Sequence, residues 1–168
     1  GSDFIGEEIN DISDLQPAIK EIVRYINEED KDFTIRIHAG ENDSLRNNVR
    51  KSIMCVKESL EKEQEMPRCR IGHGLYSEDL NTESGKELLK LMKDTGVVIE
   101  FQLTSNVRLN NLSDLKNHPI KIFLKNGIKC VQGTDGGGMY GSDTFDEQLA
   151  LQNLLELSDD EFAKMREV

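Results

Sequence analysis

The sequence predicts an α/β fold built on a parallel sheet, with a helix crossing over between successive strands. Two observations carry that reading. Strand-like and helix-like runs alternate along the chain, which is the pattern of repeated βαβ units. The strand-like runs also end in chemistry-bearing residues, His38, His73, Glu100 and Asp135, spaced by 35, 27 and 35 positions. Each interval suits one βα unit of about thirty residues. All four residues then lie on one rim, at the carboxyl ends of the strands. Catalytic residues collect on that rim in a (β/α)8 barrel, and ligands bind there in a doubly wound sheet. The spacing therefore locates a site without choosing between the two folds.

Taken in order, residues 1–8 read as the end of a strand running into an acidic turn. Gly1 and Ser2 are set aside as a pair that cloning commonly leaves. Asp14 can cap a helix carrying Leu15, Ile19, Ile22, Val23 and Ile26 at helical spacing, ending in the charged run 28–32. In residues 33–37, Phe33, Ile35 and Ile37 alternate with Thr34 and Arg36, the period of a strand. That run stops at His38, and two small residues, Ala39 and Gly40, deliver Glu41. An imidazole and a carboxylate are thus presented side by side, as a hydrolytic metal site needs them, one as ligand and one as proton carrier. Taken alone the four-residue motif is weak, since a polar residue often only caps a strand.

Asp43 or Ser44 can start a second helix with Leu45, Val49, Ile53, Val56 and Leu60 inward, ending before Pro67. Residues 66–71 read as a strand delivering Gly72, His73 and Gly74. A helix over 85–94 has Leu88, Leu89 and Met92 as its apolar face, and Gly96 breaks it. Residues 97–101 are the most strand-like run, with Glu100 and Gln102 near its end. Asn117 or His118 leads through Pro119 into a helix over 120–126, stopped by Gly127. The last strand, 128–132, ends at Gly133, Thr134 and Asp135. Residues 144–157 form a helix, and 158–162 open another.

At 168 residues the chain can form one domain with a real core. Its net charge is −11, its sequence pI is near 4.8, and no basic cluster stands out. Nucleic-acid binding is therefore not expected, because it needs clustered cations to displace counterions. Cys55, Cys69 and Cys130 form no C-x-x-C pair and no disulfide framework, which points to a reducing, cytoplasmic setting. No apolar run approaches the roughly 18 residues of a membrane span, and no signal peptide is visible.

The motifs in order are H-A-G-E at His38 to Glu41, G-H-G at Gly72 to Gly74, E-F-Q-L-T-S-N at Glu100 to Asn106, H-P-I at His118 to Ile120, and T-D at Thr134 and Asp135. Together they resemble the adenosine deaminase family of metal-dependent hydrolases. The opening D-F-I-G-E-E at Asp3 to Glu8 is similar to that family's D-L-A-G-D-E turn, and the alanine of H-A-G-E leans toward its adenosine branch. The resemblance implies a (β/α)8 barrel holding one zinc, with His38 and Asp135 as zinc ligands. It implies that Glu41 protonates purine N1 and that His73 is the base or electrostatic partner beside the activated water, which adds at C6 while ammonia leaves. It matches Gly6 to the glycine whose backbone meets the purine N3 edge, an approach that only a residue without a side chain allows.

Two departures shape the expectation. The family completes its metal site with an H-x-H pair from the first barrel strand, and the three histidines here, His38, His73 and His118, form no such pair. The zinc site is therefore incomplete in this chain. About five strand-like runs also fall short of the eight strands and roughly 250 residues of a whole barrel. Residues 1–168 thus read as the C-terminal half of a longer barrel, needing its N-terminal half or self-association, and inactive alone. The family's T-D-D-P reads Thr134, Asp135, Gly136 and Gly137 here, so the acceptor on the purine N7 side is lost and the identity of the purine-like substrate is open. The alternative is a noncatalytic deaminase-like module for structure or ligand binding. Read without the family, His73 is a turn residue, Glu100 pairs with a neighbouring cation, Asp135 sits in a flexible acidic loop, His118 starts a helix, and the acidic run 58–65 is a solvated helix end.

Overall fold

The computed structural model describes residues 1–112 and 115–168. Its five strands are β1 (Ser2–Phe4), β2 (Ile35–Ala39), β3 (Cys69–His73), β4 (Val98–Phe101) and β5 (Lys129–Gln132). They form one sheet in the order β1-β2-β3-β4-β5, and every neighbouring pair is parallel. Strand order follows chain order with no reversal. That is the winding of a barrel, whereas a doubly wound sheet reverses direction at a switch point. The observed architecture is five strands of a (β/α)8 barrel with their crossover helices, as the sequence predicts.

Period-two alternation gives the sheet two unlike faces. Ile35 and Ile37 on β2, Ile71 on β3, Ile99 and Phe101 on β4 and Cys130 on β5 are buried in one continuous apolar core. The helices α1 (Gln16–Glu28), α2 (Asn48–Glu58), α3 (Glu83–Thr95) and α5 (Ile120–Lys125) contribute Ile19, Val23, Ile53, Leu88, Met92 and Phe123 to the same core. Burying one such side chain is worth about 1.5–3 kcal/mol. The opposite face carries Asp3, Arg36, Arg70 and Glu100. Arg36 donates to Asp3 and to Glu100, each at 2.7 Å, and Arg70 donates to Glu100 at 2.8 Å.

Several boundaries differ from the sequence reading. Asp11, not Asp14, caps the first helical segment, a 3-10 turn over Ile12–Leu15, and α1 follows with Pro17 in its first turn. The second helix begins at Asn48 and ends at Glu58, leaving Leu45 and Leu60 half-buried outside it. Residues 40–47 are instead bends and turns, and Glu8 accepts the amides of the first three, Gly40, Glu41 and Asn42. Strand β3 runs over Cys69–His73 instead of 66–71, since Pro67 has no N–H to donate to a ladder. A short helix, α4 (Leu103–Arg108), follows β4 directly; it shows too little apolar period to read, and the distant Glu147 carboxylate caps its Leu103 and Thr104 amides at 3.0 and 3.2 Å. After the one-turn helix α6 (Gly137–Tyr140), α7 (Thr144–Leu154) stops short of residue 157, because Glu156 turns left-handed (φ 52°). A capping box between Ser158 and Glu161 starts α8 (Asp159–Arg166).

His118 has the structural role read from the sequence. It is buried against Phe101 with ring centroids 4.9 Å apart, and its Nδ1 accepts the Ile120 amide at 3.3 Å. Burial pushes its pKa down to about 4. The unfolded chain, titrating near 6.5, binds the proton first, so stability from this group is complete above pH 6.5 and declines as pH falls toward 4. A His118→Asn variant keeps an acceptor for Ile120 but does not titrate. Urea unfolding of wild type and variant is expected to diverge by on the order of 2 kcal/mol between pH 7 and 4.5, with wild type losing more; parallel pH profiles contradict the assignment.

Candidate active site

The carboxyl ends of β2, β3 and β5 meet at one point. Alternation along β2 puts His38 on the same face as Arg36, opposite Ile37. Continued along β3, it would send His73 to the core side with Ile71. Instead His73 adopts a left-handed backbone (φ 72°), rare for a residue with a side chain. Its amide donates to Gln102 Oε1 at 3.0 Å, and the next amide, Gly74, donates to the Ala39 carbonyl at 2.9 Å. The His73 ring then sits 5.2 Å from that of His38, tilted by 58°. Asp135, just past β5, is also left-handed (φ 55°). Such conformations cost roughly 1–3 kcal/mol each and persist where the surroundings over-determine them.

One donor atom from each of His38, His73 and Asp135 lies within 4.8 Å of the others. Glu41, brought round by Ala39 and Gly40, places Oε2 3.8 Å from His73 Nε2. His73 is fully buried, and its Nδ1 lies 3.0 Å from Asn106 Oδ1. An amide oxygen only accepts, so the hydrogen-bond network assigns the proton to Nδ1. Nε2 is left as a lone pair, buried and without a hydrogen-bond partner among the described residues.

Burial, and then His38, push the His73 pKa well down; burial, and then Arg36, lower that of His38. Burial first, then the charges of Asp135 and Glu8, raise that of Glu41. Both imidazoles are thus held neutral and Glu41 is biased toward carrying a proton. The neutral imidazole of His38 and the carboxylate of Asp135 are donors that suit zinc, with the neutral imidazole of His73 beside them. The orphaned Nε2 of His73 needs a partner of the kind a metal or its water provides. The residues present fit the metal.

The remaining candidates fall into place around this cluster. Glu100 lies level with His38 and Gly72 in the sheet register, but its carboxylate turns to Arg36, Arg70 and the Gln102 amide (2.7 Å). Although burial opposes ionisation, the two guanidinium groups hold its pKa below the usual carboxylate range. Arg36 also abuts His38 Nε2. Gly136 follows Asp135 directly and accepts the Met139 and Tyr140 amides at the head of α6. Gly6 is exposed, and a Cβ there meets nothing in the chain. Sequence reasoning gave no role to Glu8, Arg36 or Asn106, although Glu8 and Asn106 lie inside quoted motifs.

A run of barrel strands with an imidazole–carboxylate cluster at the strand ends defines the chain as part of a (β/α)8 barrel with a candidate metal site. More narrowly, it belongs to the adenosine deaminase family, whose model matches residues 5–167. It is 33% identical to adenosine deaminase of Plasmodium gallinaceum, over 97% of this chain and 41% of that protein. Identity to adenosine deaminase of Plasmodium falciparum is 30%, covering 98% and 40% respectively. The crystal structure of adenine deaminase from Arthrobacter aurescens superposes with a TM-score of 0.65 at 20% identity, covering 96% of this chain and 42% of that one; that likeness shows the fold. The chain spans about two-fifths of the length of these relatives.

The turn at Gly40 sets where Glu41 lies. Gly40 is left-handed (φ 76°), and an added Cβ would meet the Tyr76 carbonyl oxygen at 2.5 Å and Val49 Cγ2 at 2.9 Å. Gly127 is also left-handed (φ 71°) but faces open space. Gly127→Ala is therefore expected to cost only the conformational penalty, about 1 kcal/mol. Gly40→Ala adds a backbone collision and should cost more than about 2 kcal/mol. Urea unfolding of the two variants checks this, and equal losses would show that the close approach is unimportant.

Proposed function

We propose that the chain is the C-terminal portion of a zinc-dependent hydrolase that deaminates an aminopurine nucleoside or a related substrate. The convergence of His38, His73, Asp135 and Glu41 at the strand ends is the observation that supports it most. His38 and Asp135 would hold the zinc. Bound there, zinc supplies a Lewis acid that lowers the pKa of water from about 15.7 toward 7. Glu41, whose proton affinity is raised by burial and by the charges of Asp135 and Glu8, delivers a proton to the ring nitrogen N1 and makes C6 a better electrophile. His73 takes up a proton from the attacking water on its free Nε2, while Asn106 anchors its other nitrogen. The proton taken by His73 passes to the amine, which leaves as ammonia, and the C6 hydroxyl returns a proton to Glu41 as the carbonyl forms. The exposed backbone of Gly6 suits close approach of the purine N3 edge.

The first and last strands, β1 and β5, are sheet edges, and Ile5 and Ile9 beside β1 are largely exposed at 74% and 69%. Unpaired edges recruit further strands. This supports pairing with a missing N-terminal half of the barrel, or self-association. Weak zinc binding and no turnover are expected of the chain alone, since His38 and Asp135 by themselves cannot close a tetrahedral site. Three buried free cysteines accord with a reducing compartment and a cytoplasmic protein. Among the described residues no helix is long and apolar enough to cross a membrane.

Glu41→Gln keeps the shape of the side chain but removes its acid. In the full-length protein, turnover of an aminopurine nucleoside is expected to fall at least about 10²-fold with metal content unchanged. Near-normal turnover removes Glu41 from this role, and an inactive wild type favours a noncatalytic module.

Gly136 leaves the purine N7 side without a carboxylate, so adenosine is expected to be a poor substrate. Gly136→Asp should raise kcat/KM for adenosine once the Tyr140 ring, 3.2 Å from the new Cβ, gives way. A wild-type kcat/KM in the efficient range, about 10⁴–10⁸ M⁻¹s⁻¹, would show that this position does not limit adenosine.

A further inference from the structure

The turn that carries Glu41 is gripped from another element. Glu8 lies in the connection between β1 and α1, and the residue is buried, only 6% exposed. Oε2 accepts the amides of Glu41 at 2.7 Å and Asn42 at 3.1 Å. Oε1 accepts the amide of Gly40, and the side-chain amide of Asn48, the first residue of α2, at 3.0 Å. Three successive backbone N–H groups and one side-chain N–H thus converge on one carboxylate. Successive amides around a left-handed residue form a concave nest suited to an anion, and Gly40 supplies that residue here. No salt bridge to Glu8 is present among the described residues, so these dipoles hold the charge.

We infer that Glu8 is a positioning residue for Glu41, fixing the backbone from which Glu41 reaches its substrate. This rests on the deaminase reading for the role of Glu41. A carboxylate is specifically demanded because all four groups facing it are donors. A glutamine would keep one acceptor oxygen and turn an NH2 group toward N–H donors, leaving at least one buried amide unpaired. An aspartate keeps the charge and both oxygens, one methylene shorter. The charge of Glu8 also adds to the raising of the Glu41 pKa, after burial and Asp135.

The test is a double-mutant cycle in the full-length protein, with metal content measured for every variant. Glu8→Gln is expected to lower kcat on an aminopurine nucleoside about tenfold or more, with KM changed less than about threefold. Glu8→Asp should recover part of that loss. In a Glu41→Gln background, Glu8→Gln should cost less than about threefold, because residues acting through one another are not additive. Equal losses in both backgrounds, or a fall in metal content matching the loss of kcat, overturn the inference. Amide hydrogen exchange supplies a readout independent of activity. Gly40, Glu41 and Asn42 should exchange at least about tenfold faster in Glu8→Gln, with the amides of β2 and β3 unchanged. If the wild type deaminates nothing, the deaminase reading fails by itself. Unchanged exchange at those three amides then refutes the grip of Glu8 on the turn, and faster exchange upholds it. Should Glu8→Gln fail to fold, the same measurements on Glu8→Asp decide it, with intermediate losses expected and none overturning the inference.

Discussion

The arrangement of the site depends on Gln102. It is fully buried, its amide nitrogen donates to Glu100 at 2.7 Å, and its amide oxygen accepts from the backbone of His73 at 3.0 Å. That second bond holds His73 in its left-handed conformation and turns the ring from the apolar core toward His38. Glu100 in turn is fixed by Arg36 and Arg70, so the orientation of Gln102 is set by the ion pairs beneath it. A strand carrying a histidine at its end would not by itself supply a site. A neighbouring strand must also over-determine the backbone at that histidine.

The charged face has a related logic. Arg36 is tied to carboxylates on β1 and β4 and lies against the ring of His38. Removing one partner from a partly buried ion-pair cluster leaves an uncompensated charge, which costs more than the cluster contributes. Its value here is geometric, since it locks three strands in register below the cluster of donors. Glu147 performs a comparable service at α4, meeting two free helix amides from a helix more than forty residues away in sequence. Carboxylates are used repeatedly in this chain to fix backbone at a distance.

That pattern explains what the sequence could and could not disclose. The strands at Ile35–Ala39 and Val98–Phe101 were legible because alternation and apolar runs are local signals, and the order of strand-end residues pointed to one rim. His38, Glu41, His73 and Asp135 were legible as candidates from motif order. The start of α2 at Asn48, in place of the cap that Asp43 or Ser44 could supply, was not, because the tie of the Asn48 side-chain amide to Glu8, forty positions earlier, leaves no local mark. The placement of His73 was not legible either, since period two predicts the wrong face and a tertiary bond overrides it. Asn106 was visible inside a motif, but nothing local marks it as the partner of His73. Long-range hydrogen bonds leave no periodic trace in a sequence.

The grip of Glu8 on the turn and the proton affinity of Glu41 arise from one geometry. A carboxylate that gathers the amides of residues 40–42 must stand close to the side chain of residue 41. Its charge then opposes ionisation of Glu41, alongside burial and Asp135. A neutral group with four acceptors would hold the turn equally well but would leave Glu41 easier to ionise. A cation placed there could neither accept the amides nor favour the protonated acid. Only an anion does both, and the amides of the nest are the donors that suit one. Position and proton affinity are therefore coupled through Glu8, and a substitution that disturbs one disturbs the other.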